Sequence, residues 1–223
     1  MIDFYNSKKL LVRNDKKFFY YVDKKLKNIR YSILIKSLKG VLKLNHSIEI
    51  KNLNKFYGRK QVLFNINLSI EQGMFGLLGR NGAGKTTLMK TLATLLQKKD
   101  GSITIYGIPI ENEKEIREII GYLPQEFSMY PSMNILETMD YLAILAGLKK
   151  QERKERIEIL LRKVNLMEHK NKKVKALSGG MKRRLGIAQA LLNNPKVLIV
   201  DEPTAGLDPE ERIRFRNLLS EIA

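Results

Sequence analysis

The chain has 223 residues, of which 43% are hydrophobic and 29% charged, with no cysteine and two histidines. This composition is typical of a folded globular protein and excludes disulfides, thiol catalysis and thiolate metal sites. His46 and His169 lie far apart in the sequence, so a zinc site built on histidines is not expected. No apolar run approaches the length that spans a bilayer, and the first residues lack the apolar core of a secretory signal. We therefore expect a cytoplasmic protein.

The basic charge of the chain is unevenly distributed. The formal net charge is +18, and residues 1–45 hold 12 basic and 3 acidic side chains. Leu34, Leu38, Val41 and Leu42 follow a helical stripe among lysines, which is typical of a basic amphipathic helix. We treat residues 1–45 as a basic extension of unknown role: a solvated, partly disordered extension, an arm that binds a membrane surface or a partner, or a misassigned start or sequence that does not belong to the domain. A basic balance fits an anionic partner, such as a phosphate ligand, a lipid surface or nucleic acid.

From Ser47 onwards the chain shows regular strand and helix patterns. The predicted elements are, in order, strands at 48–50 and 62–70 around a turn at Tyr57-Gly58, an apolar run at 74–78, a helix at about 85–96, a strand at 101–106, helices at 134–148, 151–164 and 180–193, a strand at 197–200, and a last helix opened by Pro209. Strands that alternate with helices indicate an α/β fold.

An unbroken phosphate-binding loop pattern, G-x-x-x-x-G-K-[ST], follows the apolar run. Its residues are Gly79, Arg80, Asn81, Gly82, Ala83, Gly84, Lys85 and Thr86. Glycines are needed because consecutive backbone N–H groups must turn inward around phosphate oxygens. The helix that begins near Lys85 adds the positive end of its dipole. We expect Lys85 to reach the β- and γ-phosphates and the Thr86 hydroxyl to bind Mg²⁺.

A second apolar run ends in two acidic residues, Asp201 and Glu202. The four apolar residues before Asp201 predict a buried parallel strand, whose C-terminal edge is where α/β folds bind ligands. There Asp201 can hold Mg²⁺ opposite Thr86, and Glu202 can orient or deprotonate the attacking water. By itself, an apolar run that ends in two acidic residues is often only the end of a strand without a functional role. Because it follows Lys85 by 116 positions, it predicts a P-loop ATPase or GTPase.

A short segment before the helix at 180–193 decides the subclass. Its residues are Leu177, Ser178, Gly179, Gly180 and Met181. Ser178 as N-cap, with the backbone donors of the two glycines, predicts a second anion-binding helix N-terminus. Here the chain resembles the ATP-binding cassette (ABC) ATPase family, over about residues 47–223. The segment is similar to that family's signature motif, with Met181 where glutamine is usual.

Three further residues match motifs of the family in the expected order. Gln125 follows Tyr122-Leu123-Pro124, and this segment is similar to the Q-loop of the family. Asp208 follows Gly206-Leu207, and this segment is similar to the family's D-loop. Tyr57 lies 22 residues before Gly79, where the family stacks an aromatic ring on adenine. The resemblance implies that Tyr57, the loop from Gly79 to Thr86, and Thr87 bind ATP.

The resemblance also implies an architecture and a function. The fold would be a P-loop ATPase core with an N-terminal antiparallel β subdomain and a helical signature-motif subdomain at about residues 124–190. ATP and Mg²⁺ would be the ligands, with Thr86, Gln125 and Asp201 around the metal and Glu202 and Gln125 as catalytic residues. The signature of one cassette would close over ATP held by a second cassette.

The implied partners are therefore a second ABC cassette and a transmembrane permease subunit, with residues 126–148 as the surface that contacts the permease. Hydrolysis would power transport of a solute, with import or export left open, by a protein peripheral to the inner face of the cell membrane. Nucleic acid is not the expected partner.

One element of the family's pattern is missing. The switch histidine would lie beyond Ala223, and neither His46 nor His169 can replace it. We therefore expect a C-terminally truncated cassette that lacks the strand after its last helix, and a sheet with an open apolar edge. Two alternatives stay open. One is a nucleotide-binding remnant without turnover. The other is a soluble ABC ATPase that acts on ribosomes or nucleic acid, and the net charge of +18 supports this second alternative.

Overall fold

A computed structural model describes residues 11–14, 17–20, 31–35, 47–77, 80–126, 128–202 and 207–222. Within these residues the strands are β1 (Leu11–Asn14), β2 (Lys17–Tyr20), β3 (Tyr31–Ile35), β4 (Ile48–Tyr57), β5 (Lys60–Ile70), β6 (Gly73–Gly76), β7 (Asp100–Ile105), β8 (Ile108–Pro109), β9 (Ile120–Leu123) and β10 (Val197–Asp201). The helices are α1 (Lys85–Leu92), α2 (Glu113–Ile119), α3 (Ile135–Leu145), α4 (Lys150–Lys163), α5 (Gly179–Ala190) and α6 (Pro209–Ile222), with short 3-10 turns at Met167–His169 and Val174–Ala176.

An antiparallel sheet of strand order β5-β4-β7-β8 forms one layer. Its longest pair, β4 and β5, is joined by the predicted turn, in which Gly58 has a φ of +56°. Along β4, Ile48 and Ile50 are buried while Glu49 between them is partly exposed, so one face of the strand contributes to the core. The predicted antiparallel β subdomain is therefore present.

A second sheet has the order β6-β3-β10-β9. Strand β10 is parallel to β9, as expected, but antiparallel to β3 on its other side. The described part of the basic extension thus contributes β3, which pairs with β10 and with β6 between the two motif-bearing strands. Leu34 lies in this strand, so its assignment to a helical stripe was wrong; residues 36–46 lie outside the described residues.

Helices α3, α4 and α5 pack into a helical unit, whose apolar core continues into buried residues of α6, β9 and β10. The predicted helices here are confirmed to within a few residues, and the Asn134 capping box fixes the start of α3. Helix α2 and strand β9 were not predicted. Within α2 Ile116 is the buried residue, so the sequence of this helix lacks the periodic apolar stripe from which a helix is predicted.

Strand β10 connects the two cores of the molecule. Val197 and Ile199 pack with the residues of β4, β5 and α1, whereas Leu198 and Val200 pack with those of the helical unit. Both faces of the strand are buried, and its C-terminal end therefore lies where the two units meet. Among the described helices, none is both long and apolar enough to cross a membrane.

Candidate functional site

The phosphate loop leads directly into α1. Gly82 and Gly84 have φ values of +71° and +96°, and Gly84 is the N-cap residue of α1. These left-handed conformations are the reason for glycine at both positions. The N–H of Ala83 donates to the carbonyl oxygen of Arg80 at 3.1 Å, which closes the loop. Gly79 lies outside the described residues.

Lys85 is held inside this loop. Its side chain is 3% exposed, and Nζ donates a 2.8 Å hydrogen bond to the carbonyl oxygen of Arg80. Arg80 and Asn81 are exposed, while Thr86 and Thr87 at the start of α1 are half-buried. The ammonium group is therefore positioned at the helix N-terminus, where backbone donors and the helix dipole favour an anion.

Asp201, the last residue of β10, is fully buried. Neither of its carboxylate oxygens makes a hydrogen bond, within ordinary limits of distance and angle, to the groups that the structure describes. Burial raises the pKa of Asp201, the neighbouring Thr86 hydroxyl lowers it, and the charge of Glu202 raises it again. An unpartnered buried carboxylate beside a hydroxyl is the hard oxygen donor set that suits Mg²⁺.

Gln125 and Glu202 come together from segments 77 residues apart. Nε2 of Gln125 donates to Oε2 of Glu202 at 2.7 Å. The backbone of Glu202 has a φ of +47°, which is uncommon for a residue with a side chain and stores strain. The two predicted catalytic side chains are thus in direct contact at the end of β10, next to Asp201.

The signature segment is built as a helix N-terminus. Ser178 is the N-cap of α5, and its Oγ accepts a 3.2 Å hydrogen bond from the N–H of Met181. Gly179 is exposed, and a Cβ added there would meet nothing within 4 Å. The side chains of Leu177 and Met181 are buried in the core of the helical unit, so Met181 presents its backbone, not its thioether, to this end of the helix. Gly180 is covered by Glu211 of α6, whose Oε2 would lie 2.6 Å from an added Cβ.

Two predicted residues lie at the ends of other elements. Tyr57, at the end of β4, is 48% exposed, and Nζ of Lys55 lies 5.6 Å from the centre of its ring. Asp208 caps α6, since its Oδ1 accepts a 2.8 Å hydrogen bond from the N–H of Glu211. Pro203 to Gly206 lie outside the described residues.

Arg183 is a residue of the site that sequence reasoning missed. It is 5% exposed and donates to backbone carbonyls beside both Gln125 and Glu202. The signal that could have found it is its place on the buried face of α5, three residues after Gly180 and four before Ile187.

The surface after Gln125 is apolar and open. A groove of about 550 Å³ lies between this segment and α5, with Met129, Pro131, Lys182 and Leu207 in its walls. Beyond it, five large apolar side chains are exposed on or before α3: Tyr130, Leu136, Tyr141, Ile144 and Leu145. The rings of Tyr130 and Tyr141 make an edge-to-face contact with centres 5.0 Å apart. Phe127, also expected at this surface, lies outside the described residues.

Residues 63–205 match the family model described as ABC transporter. The chain is 39% identical over 167 residues to a linearmycin resistance ATP-binding protein of Bacillus subtilis (strain 168), covering 74% of this chain and 54% of that protein. It is 38% identical over 181 residues to a methionine import ATP-binding protein of Clostridioides difficile (strain 630), covering 78% of this chain and 56% of that protein. The chain therefore spans about half the length of these curated relatives.

Solved structures show the same fold. The structure of cbiO1 from Clostridium perfringens, part of the ABC transporter complex cbiONQ, matches with a TM-score of 0.71 and 30% identity, over 79% of this chain and 73% of that one. The dimeric structure of MJ0796, a bacterial ABC transporter cassette, matches with a TM-score of 0.64 and 28% identity, over 77% of this chain and 81% of that one. The expected P-loop core with a helical signature subdomain is confirmed, and the chain belongs to the ABC transporter family as an ABC ATPase cassette.

Proposed function

We propose that this chain binds and hydrolyses ATP and powers transport of a solute across a membrane through a separate transmembrane partner. The observation that carries the proposal is the contact of the Gln125 amide with the Glu202 carboxylate, next to the buried carboxylate of Asp201. A paired amide and carboxylate beside a metal-binding carboxylate is what hydrolysis by a positioned water requires.

The triphosphate would be bound at the N-terminus of α1. Backbone N–H groups of residues 80–87 surround its oxygens, and Lys85 exchanges the Arg80 carbonyl for the β- and γ-phosphates. Tyr57 would stack on the adenine ring, since nearly half of its surface is exposed.

Mg²⁺ would be held by Thr86, Asp201 and Gln125, and when bound it would neutralise charge on the phosphates. The unpartnered oxygens of Asp201 support this assignment. Glu202 would accept a hydrogen bond, and then a proton, from the water that attacks the γ-phosphate. The Gln125 amide holds the acceptor oxygen of Glu202 in place for that step.

A second cassette would complete each nucleotide site. Ser178 and Gly179 lie exposed at the N-terminus of α5, where the donors of a helix end can meet a phosphate. In a head-to-tail dimer these residues would close over ATP bound by the other copy. Closure and reopening would then shift the transmembrane partner between two conformations.

The transmembrane partner would dock on residues 126–148. Exposed Leu145 and Ile144 on α3, with the Tyr130–Tyr141 pair, give this surface the apolar side chains that an interface core requires. The same segment begins directly after Gln125. A movement of the partner would therefore reach the hydrolytic site through one short stretch of chain.

The proposal is tested by the rate of phosphate release from ATP by the full 223-residue chain and two variants. Glu202→Gln removes the base and should reduce turnover at least about 10²-fold, by loss of general-base catalysis. Glu118→Gln makes the same chemical change at an exposed position of α2 and should leave turnover unchanged. A chain that binds ATP and releases no phosphate above the Glu202→Gln level would be a nucleotide-binding remnant without turnover.

A further inference from the structure

Arg183 connects three parts of the site: helix α5, the segment that follows β9 and the end of β10. From the second turn of α5, its Nη1 donates to the carbonyl oxygens of Gln125 at 2.7 Å and of Pro124 at 3.3 Å. Its Nη2 donates to the carbonyl oxygens of Asp201 at 2.6 Å and of Glu202. The acceptors belong to the two segments that carry Gln125 and Glu202.

These carbonyls lie beyond the point where β9 and β10 pair with each other, although Asp201 still pairs with Tyr31 of β3 on its other side. The parallel pairing of β9 with β10 ends at Leu123 and Val200, so the residues that follow in the two segments do not pair with each other. A guanidinium group presents several N–H donors in a rigid plane and can satisfy two acceptors on each side. Arg183 therefore fastens the two strand ends together where the ladder stops.

The backbone at Glu202 needs such a restraint. Its φ of +47° costs free energy that surrounding contacts must offset. Arg183 donates to the carbonyl oxygens of Asp201 and Glu202, which lie immediately before and after the Cα of Glu202. These hydrogen bonds fix the direction in which the Glu202 side chain leaves the backbone.

The guanidinium group of Arg183 is buried against the groups of the site itself, which a purely structural role would not require. It is 5% exposed, and burial lowers the pKa of its guanidinium while the charges of Asp201 and Glu202 raise it. Burying a charge is costly unless hydrogen bonds and opposite charges compensate. Here the compensating groups are those of the hydrolytic site.

We propose that Arg183 is a positioning residue for hydrolysis: it sets the Gln125 amide against the Glu202 carboxylate by binding the backbone carbonyls of both segments. The inference rests on the proposed ATP hydrolysis. Because Arg183 is on α5, one turn after Ser178, a displacement of the signature end of this helix would alter the Gln125–Glu202 contact directly.

The test compares Arg183→Met, Arg183→Lys and the exposed neighbour Lys182→Met in the full chain. We measure kcat for ATP and, separately, the Kd for ATP. Arg183→Met keeps an unbranched stem that can fill part of the buried space and removes all donors, so kcat should fall by about 10²-fold, the effect of a misplaced catalytic group. Kd should change by less than about twofold, since no phosphate contact is lost. Arg183→Lys should restore part of the rate because an ammonium can still reach some of the carbonyls.

A further comparison shows whether Arg183 acts through Glu202. In the Glu202→Gln background, Arg183→Met should reduce the residual rate no further, because the group that it positions is already absent. Far-UV circular dichroism of each variant establishes that it is folded. If Arg183→Met does not fold, the Arg183→Lys variant alone decides, with a lowered kcat at unchanged Kd as the expected result.

Three results would overturn the inference: a folded Arg183→Met chain with the wild-type kcat, an equal loss in Lys182→Met, or a further loss in the Glu202→Gln background. Failure of the proposed function looks different. In that case the wild-type chain itself releases no phosphate above the Glu202→Gln level.

Discussion

Gly84 of the phosphate loop lies directly against Leu63 of β5. A Cβ at position 84 would be 2.9 Å from Cδ2 of Leu63 and 3.1 Å from the carbonyl oxygen of Val62. The antiparallel sheet therefore contacts the loop at the N-cap residue of α1. Gly84 is needed for two separate reasons, namely its φ of +96° and the lack of space for a side chain.

These two reasons can be separated by a matched pair of variants. Gly107→Ala introduces a side chain at a φ of +78° with nothing within 4 Å, so it should cost about 1–2 kcal/mol through backbone strain alone. Gly84→Ala should cost a further ~1–3 kcal/mol, because the sheet resists the added methyl group. Urea unfolding of both variants measures the difference. Equal losses of stability would mean that the contact with Leu63 has no effect on the loop.

Lys85→Ala should weaken ATP binding without unfolding the chain. A charge-assisted hydrogen bond to phosphate contributes about 1.5–3 kcal/mol, so Kd should rise roughly 10- to 100-fold. Lys114→Ala removes an exposed lysine of α2 and is the control for loss of charge alone. Isothermal titration calorimetry with ATP at one fixed salt concentration gives both values. An unchanged Kd for Lys85→Ala would exclude the phosphate loop as the ATP site.

Met181→Gln, which introduces the residue usual in the signature motif, should destabilise this protein. The side chain of Met181 is 8% exposed and packs in the core of the helical unit, where an amide without a partner costs about 1–3 kcal/mol. Met181→Leu conserves the apolar character and should cost less than about 1.5 kcal/mol. The free energy of unfolding of both variants is the readout. A Gln variant as stable as the Leu variant would show that the position 181 side chain can reach solvent.

Ile33→Pro tests whether β3 is part of the sheet that contains β6 and β10. Residue 33 pairs with Ile199 of β10 on one side and with Phe75 of β6 on the other. Proline has no N–H for the ladder, and the acceptor that it leaves unpaired should cost about 1–3 kcal/mol. Ile33→Val keeps the N–H and serves as the control in the same unfolding experiment. Identical stabilities of the two variants would mean that residues 31–35 are not held between β6 and β10.

Leu145→Asp tests the proposed docking surface. Leu145 is 65% exposed on α3, and Ile213, 52% exposed on α6, is a matched apolar residue on another face. When each variant is expressed in the source organism, the Leu145→Asp protein should be lost from the washed membrane fraction, because a charge then lies in the interface core. Ile213→Asp should remain bound. Quantitative immunoblots of the two fractions decide, and retention of Leu145→Asp would remove residues 126–148 from the interface.

Local patterns were enough to predict much of the fold. The alternation of apolar and polar residues in β4 and β5 and the stripes of α4 and α5 are short-range signals that the tertiary structure preserves. Ser178 was recognisable as a cap because capping depends on neighbours in the chain. The order β6-β3-β10-β9 was not predictable in this way, since the pairing of β3 depends on contacts more than 35 residues apart.

The residue types of the site could be predicted, but their contacts could not. The motifs identify Lys85, Asp201 and Gln125 individually because phosphate and metal chemistry restricts which side chains serve. The hydrogen bond of Gln125 to Glu202 joins residues that are far apart in sequence. The burial of Met181 also depends on how α5 packs against the other helices.

The most direct test of ATP hydrolysis at the end of β10 follows bound ATP and released phosphate in one sample. The full chain is mixed with limiting radiolabelled ATP and Mg²⁺, and aliquots are separated into bound nucleotide and free phosphate over time. We predict that wild type and Glu202→Gln bind ATP equally and that only wild type converts the bound ATP to phosphate. Phosphate release at the wild-type rate by Glu202→Gln would contradict the account.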